Sequence, residues 1–420
     1  MLNAFLAKHI GSAIFVGGRG WQEIQRHELR VGIFRLPQVK VSYTAQYVCV
    51  SLWGWQKRYA YFRPGYGCTL CKPAEKPAAV PARPLPAQTA THTSSSYTTS
   101  DWQKRIAPWT VSKGSQTLAL CIIQGGVPVA TWYAPGIKPS TPLAGWSMVK
   151  SVTNALVGIL VSQGRIDIHA PLPDGIWRGR QDRRNTISMH HLLQMSSGLS
   201  WTERYWWDSD VTRMLFDSED ASHIITGKKY GRKPASYWQY ASGTTNMISK
   251  ALSLLLDKEY HSFPYKELFA PLGMSSALIE TDATGKFVTS SYMLANAADW
   301  AKFGQLYAQG GIWNGKRILP HHWVRYSTTP TDAAPHNEYG AHFWLNQGFK
   351  GDPQSRKMPD VPPSVYYASG FGGQRIFIVP THDLVLVRLG AAHFREPDFN
   401  NLLSSLLADL QIGFKNLPKN

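Results

Sequence analysis

Gly145-Trp146-Ser147-Met148-Val149-Lys150 runs on through Ser151-Val152-Thr153-Asn154-Ala155-Leu156-Val157-Gly158-Ile159-Leu160. Apolar residues at 148, 149, 152, 155, 156, 159 and 160 recur at helical spacing on one broad face, so the stretch predicts a buried helix. Ser147 stands at its beginning and Lys150 follows one turn later. Side chains at i and i+3 on a helix lie about 5–6 Å apart at Cβ. A lysine amine placed there reaches the serine hydroxyl, and burial weakens its hold on its own proton until it can accept another. The helix N-terminus adds backbone N–H groups and a positive dipole end where an oxyanion would form. Ser-x-x-Lys also recurs by chance in a long chain, as an N-cap serine followed by a solvated lysine. The partners elsewhere in the sequence therefore carry the identification.

With 420 residues the chain has room for two or three domains, or for one large fold with an inserted domain. Its 43% hydrophobic and 17% charged residues are those of a globular protein, and no low-charge run is long enough to span a membrane. Sixteen Trp, 19 Tyr and 16 Phe suit a stiff core and a ring-lined cleft. The net charge of +17 is spread along the chain, apart from Arg178-Gly179-Arg180-Gln181-Asp182-Arg183-Arg184, which reads as a solvated loop. No nucleic-acid motif accompanies it, so the expected partner is a small molecule, with attraction to anionic surfaces, a membrane face included. Of the four cysteines, Cys68-Thr69-Leu70-Cys71 has C-x-x-C spacing without a second ligand pair. It reads as small apolar residues or one structural disulfide, and neither a metal nor an organic cofactor is implied. Met1-Leu2-Asn3-Ala4-Phe5-Leu6-Ala7-Lys8 is too short and too polar for a signal peptide, so either the protein stays inside or its start lies upstream.

Along the chain, residues 1–71 form an N-terminal extension with short strand-like runs at 12–16, 39–43 and 47–52. Residues 72–101 are rich in Pro, Ala, Ser and Thr and read as a linker or surface strap. Residues 116–123 and 127–133 predict a hairpin around Gln124-Gly125-Gly126, and 374–379 with 384–389 predict a second around Pro380-Thr381-His382-Asp383. Residues 399–412 close the chain as an amphipathic helix. Strands near both ends with helices between suggest one antiparallel sheet, from 102–145 and 290–420, and an inserted helical domain at 146–289 that carries the Ser147 helix.

Three stretches are candidate partners for Ser147. Tyr240-Ala241-Ser242 precedes a predicted helix, and its phenol or phenolate could exchange the serine proton. Ala368-Ser369-Gly370-Phe371-Gly372-Gly373-Gln374 has the glycines that let backbone N–H groups approach a carbonyl oxygen. Leu192-Leu193-Gln194-Met195-Ser196-Ser197-Gly198-Leu199 is a helix end with an ordinary Ser-Gly stop.

Their order after Ser-x-x-Lys resembles the serine β-lactamase and penicillin-recognising superfamily, whose motifs are Ser-x-x-Lys, Tyr-x-Asn or Ser-x-Asn, and Lys-Thr-Gly. Within it the chain is most similar to the class C-like branch of esterases, D-amino peptidases and 6-aminohexanoate-dimer hydrolases. Tyr292 to Leu306, Trp313-Asn314-Gly315-Lys316-Arg317-Ile318-Leu319-Pro320 and Gly372-Gly373-Gln374 look like the last group, over roughly residues 102–412. The resemblance implies an α/β (α+β) fold of the β-lactamase/transpeptidase type, an antiparallel sheet flanked by helices with a mainly helical insertion. It implies Ser147 as nucleophile, Lys150 as base and Tyr240 as acid/base partner, with the N–H groups of Ser147 and Phe371 as oxyanion hole. Tyr205, in Thr202-Glu203-Arg204-Tyr205, matches a tyrosine that contacts the substrate amide, and Ser242, Ser369 and Gly370 fall at substrate-binding motif positions.

Two departures narrow the expectation. Ser242 replaces the amide that orients the lysine, and Ala368-Ser369-Gly370 lacks the cation that holds a β-lactam or peptide carboxylate. A buried carboxylate without its cation costs several kcal/mol. Neutral esters or linear amides therefore suit the site better, unless Arg375 supplies the charge. The expected activity is that of a serine hydrolase working through an acyl-enzyme. The alternatives are a penicillin-binding, β-lactamase-like or D-amino peptidase activity, and a non-catalytic binding protein on the same fold. Family members often carry an export signal, which points to a periplasmic or membrane-associated protein.

Overall fold

The computed structural model describes all residues except 30–36, 74, 76, 82–98, 112–115, 178–180, 206–207, 393–395 and 416–420. Most of the expected linker, and Arg178 to Arg180 of the basic run, lie outside the described residues.

Four strands, β1 (Gln38–Ser42), β2 (Tyr47–Leu52), β3 (Trp55–Arg63) and β4 (Gly67–Cys71), form an antiparallel meander near the N-terminus. Val48, Val50, Ala60 and Cys68 point from one face of it onto Leu6, Ala7, Ile10 and Ile14. The run at 12–16, expected as a strand, is instead a π-helical turn, Ser12–Val16, that continues the helix Leu2–Gly11. Its β-branched residues favour a strand locally. The apolar spacing 6, 7, 10, 13, 14 is helical, and burying that stripe on the meander overrides propensity.

The main sheet has six antiparallel strands, which run across it in the order Trp344–Leu345, Tyr366–Gly370, Gln374–Val379, Leu384–Gly390, Thr117–Gln124, Val127–Tyr133. Strands β5 (Thr117–Gln124) and β6 (Val127–Tyr133) come from the front of the chain. Strands β12 (Trp344–Leu345), β13 (Tyr366–Gly370), β14 (Gln374–Val379) and β15 (Leu384–Gly390) come from the back. The two halves join where β15 pairs with β5, Val387 opposite Cys121 and Val385 opposite Ile123. Alternation along the strands feeds two cores. Phe377, Leu384 and Leu386 face Trp109, Phe399 and Leu403 of the helices Ser100–Val111 and Phe399–Lys415. Ile376, Ile378, Val385 and Val387 face the helix Ala297–Ala308. A small sheet of β7 (Leu143–Ala144), β9 (Met293–Ala295) and β8 (Leu278–Ile279), together with the helices Val149–Ser162 and Ser242–Leu256, stands beside the main sheet. Among the described residues no helix is long and apolar enough to cross a membrane.

A buried polar cluster locks the N-terminal unit to this body. Lys8 pairs with Glu280, just after β8, and also donates to the Cys68 carbonyl at 2.6 Å. Glu280 in turn accepts from the Ser12 hydroxyl at 2.8 Å and the Cys68 N–H at 2.7 Å. Among the described residues, which include all four cysteines, no thiol is in a disulfide. Cys68 and Cys71 sit three positions apart on β4 and so point to opposite faces, which rules out a bond between them.

Because every donor and acceptor of the Lys8–Glu280 cluster is buried, removing one partner strands the other charge. Lys8→Met should lower the unfolding free energy by ~3–5 kcal/mol, measured by urea denaturation against the parent protein.

Candidate active site

The Ser147 stretch folds as a short 3-10 turn, Trp146–Met148, that runs into the helix Val149–Ser162. Its buried residues interlock with both neighbouring layers. Asn154 accepts from Tyr307 at 2.6 Å, Ser327 at 3.0 Å and the Trp323 indole at 3.1 Å, and it donates to the Ala341 carbonyl at 2.9 Å. Gly158 leaves room for the Trp323 ring, which a Cβ there would strike. Beneath the first turn, His342 bonds the Lys150 carbonyl at 2.9 Å and Thr245 at 3.2 Å. Burial pushes His342 down to about 3, so it is a neutral brace.

Lys150 is 1% exposed. Its amine donates to Ser147 Oγ at 2.9 Å, to Ser242 Oγ at 3.0 Å and to the Ser290 carbonyl at 2.8 Å. Burial lowers its pKa to about 8, and the Glu203 carboxylate opposes that shift. The lysine is thus held on the serine in a state that can give up its proton near neutral pH. Tyr240 lies across the amine, its ring 5.0 Å from Nζ. Burial first, then Tyr339 and Glu203, raise its pKa well above the ordinary phenol value, and the nearby Ser147 hydroxyl only partly offsets them. Of the two forms the sequence allowed, the environment selects the neutral phenol, which is a proton donor rather than a base.

The other expected site residues divide into two groups. Gly370 packs on the loop before Ser147 so closely that a Cβ would strike the Gly145 carbonyl, and this brings the end of β13 against that loop. Phe371 follows directly, its ring 5.2 Å from Trp146 and 5.0 Å from Tyr205. Gly372 and Gly373 take φ of +81° and +79°, the left-handed values glycine permits, and Gln374 ties the turn down by donating to the Phe371 carbonyl at 3.0 Å. The Tyr205 hydroxyl is buried without a hydrogen-bond partner among the described residues, close to the hydroxyls of Ser242, Ser147 and Ser291. Ser369 and Ser242 differ from expectation. Ser369 pairs across the sheet with Arg375, whose face is the one packed on Phe399. The Ser242 hydroxyl is taken by Lys150 and by Glu203, at 2.5 Å, so it is not open to a substrate. Arg375 is no replacement cation, since it pairs with Glu396 at 2.5 Å and donates to the Gln374 carbonyl at 2.9 Å.

Three contributors were not legible. Glu203 stood inside the quoted Tyr205 motif, but nothing in its spacing told that it would meet Ser242. Trp344 stacks on Tyr240 at 5.4 Å from 104 positions away in the chain. Trp146 carries a φ of +49°, strained for a residue with a side chain, and is clasped by Phe371, Tyr205 and Phe5 of the N-terminal helix, the last at 6.1 Å. Among the described residues no cluster of His, Cys, Asp or Glu is arranged to hold a metal ion.

The sequence profile of the family described as Beta-lactamase matches residues 101–404. A 6-aminohexanoate-dimer hydrolase of Paenarthrobacter ureafaciens is 24% identical over 322 residues, 70% of this chain and 78% of that protein. A Bacillus anthracis structure, whose description proposes a 6-aminohexanoate-dimer hydrolase, superposes with a TM-score of 0.61 at 20% identity, covering 72% of this chain and 81% of its own. A D-stereospecific amidohydrolase from Streptomyces sp. gives 0.54 at 15% identity, covering 73% and 97%. At these identities the two structures establish the fold, a β-lactamase/transpeptidase-like one.

Only the neutral amine of Lys150 can take the Ser147 proton. A group titrating at about 8 is ~10% neutral at pH 7. Acylation of Ser147 by an activated ester should therefore accelerate as pH rises through about 8 and then level off. The burst rate measured from pH 6 to 10 checks this, and a rate independent of pH would contradict it.

Proposed function

The chain belongs to the beta-lactamase family, and we propose that it is a serine hydrolase cleaving neutral ester or linear amide bonds through an acyl-enzyme on Ser147. The observation that carries this reading is the Lys150 amine, fully buried, 2.9 Å from the Ser147 hydroxyl. Neutral Lys150 takes the hydroxyl proton as Oγ attacks the substrate carbonyl carbon. The carbonyl oxygen becomes an oxyanion, received by the N–H groups of Ser147 and Phe371 at the junction of the 3-10 turn and the β13 end. As the tetrahedral intermediate collapses, the Tyr240 phenol gives its proton to the leaving alkoxide or amine and is reprotonated from the Lys150 ammonium. Water then enters by the same path in reverse: Lys150 takes its proton, its oxygen attacks the acyl carbon, and Ser147 leaves with a proton.

Substrate preference follows from what surrounds the serine. Trp146, Tyr205 and Phe371 form one aromatic wall, and Tyr240, Tyr339 and Trp344 form the other, with ring centroids 5.0–6.5 Å apart within each set. The cations named beside them are committed, Lys150 to its three acceptors and Arg375 to Glu396. A substrate carboxylate would enter without a partner, so uncharged acyl chains fit best. The relationship to a 6-aminohexanoate-dimer hydrolase supports a linear amide as the bond cleaved, and says nothing for uncharged ends. The Tyr205 hydroxyl, buried and unpartnered, is the donor or acceptor such an amide would meet.

p-Nitrophenyl butyrate should be hydrolysed with a butyryl adduct on Ser147 visible in the intact mass, and both should vanish in Ser147→Ala. Benzylpenicillin should acylate far more slowly than the ester. Efficient acylation by penicillin would move the reading to a penicillin-recognising activity. A folded protein that forms no adduct with any of these probes would leave the fold as a binding scaffold.

A further inference from the structure

Glu203 is the charged group of the site that the mechanism above does not use. Its Oε1 accepts the Ser242 hydroxyl proton at 2.5 Å, and its Oε2 accepts the Ser242 N–H at 2.9 Å and the Trp201 indole N–H at 2.5 Å. Ser242 has one hydroxyl proton and gives it to the carboxylate, so toward Lys150 its oxygen can only accept. The Ser290 carbonyl, the third partner of the amine, can likewise only accept. A neutral lysine amine has two N–H bonds and one lone pair. With two of its three directions filled by obligate acceptors, the lone pair is left facing Ser147, the one partner that has a proton to give.

We propose that Glu203 is a positioning residue of this site: by fixing the Ser242 hydroxyl as an acceptor it aims the Lys150 lone pair at Ser147, with its negative charge held close to that amine. The proposal rests on the reading of Ser147 as nucleophile and Lys150 as base. If Glu203 loses its charge, the Ser242 hydroxyl is released to donate to the Lys150 lone pair, which then competes with the proton transfer from Ser147. The carboxylate stands where the sequence lacks the orienting amide, so Ser242 and Glu203 together do what one amide side chain would. Its electrostatic reach includes Lys150, Tyr205, Tyr240 and Tyr339, and His342 lies under the same turn. The three phenols are pushed upward and His342 down to about 3, so between pH 5 and 9 Lys150 is the group among them that titrates. Glu203 favours the charged amine, so removing its charge lowers the Lys150 pKa further.

The test compares wild type, Glu203→Gln and Ser242→Ala for p-nitrophenyl butyrate hydrolysis across pH 5–10, each checked for folding by circular dichroism. Glu203→Gln should lower the plateau of kcat/KM ~10-fold or more, within the range of general-base contributions, and move the acid limb to lower pH. Ser242→Ala removes the acceptor but keeps the charge, so its plateau should fall while its limb stays at the wild-type pH. A merely structural Glu203 would lower activity in both variants with the limb fixed, and that result overturns the proposal. A second measurement needs no turnover: the Lys150 side chain is followed by NMR in protein labelled with 13C at lysine Cε, and its titration should shift down in Glu203→Gln. An unchanged titration also overturns the proposal. Absence of any wild-type hydrolysis would instead count against the hydrolase reading, with the titration still deciding the role of Glu203.

Discussion

The buried amine of Lys150 is what the segments around Ser147 are arranged to satisfy. An isolated ammonium in a protein interior is costly, and a neutral amine there still needs acceptors for its N–H groups. The fold meets both demands from separate parts of the chain: the Ser147 hydroxyl from the same turn, the Ser242 hydroxyl from the start of the helix Ser242–Leu256, and the Ser290 carbonyl just before β9. The helix that carries Lys150 is seated by Asn154 on the Ala341 carbonyl, by Gly158 on the Trp323 ring and by His342 at the Lys150 carbonyl. What makes the site reactive is thus also what makes it expensive to build.

One of the chain's left-handed non-glycine residues stands directly before the serine. Trp146 holds a left-handed backbone conformation that costs a side-chain-bearing residue roughly 1–2 kcal/mol. Its indole packs edge-on against Phe371 and Tyr205, and is stacked by Phe5. Phe5 belongs to the helix Leu2–Gly11, outside the 101–404 match, so the N-terminal unit buttresses the candidate active site rather than hanging from it. The Lys8–Glu280 cluster gives that buttress its fixed position.

Where the sequence was legible, local rules and tertiary demands agreed. The hairpin read at 116–133 forms β5 and β6, and the hairpin read at 374–389 forms β14 and β15, because strand-forming apolar runs and the turn residues between them both asked for strands. At 12–16 the two disagreed: β-branched residues asked for a strand, but the stripe 6, 7, 10, 13, 14 had a sheet to cover, and burial won. Ser242 was read as facing the substrate because its motif position faces one, and its neighbours alone could not reveal that Glu203 would claim its proton.

The fold, the serine–lysine pair and the order of the motifs are legible along the chain, because helical spacing, apolar strand runs and a three-residue interval are properties of consecutive residues. The ionisation of the site emerges only once the chain is folded. Whether Lys150 is a base, whether Tyr240 is a phenol and where the Ser242 proton points depend on burial and on a carboxylate brought in through space. Those are long-range electrostatic facts that no interval along the chain encodes.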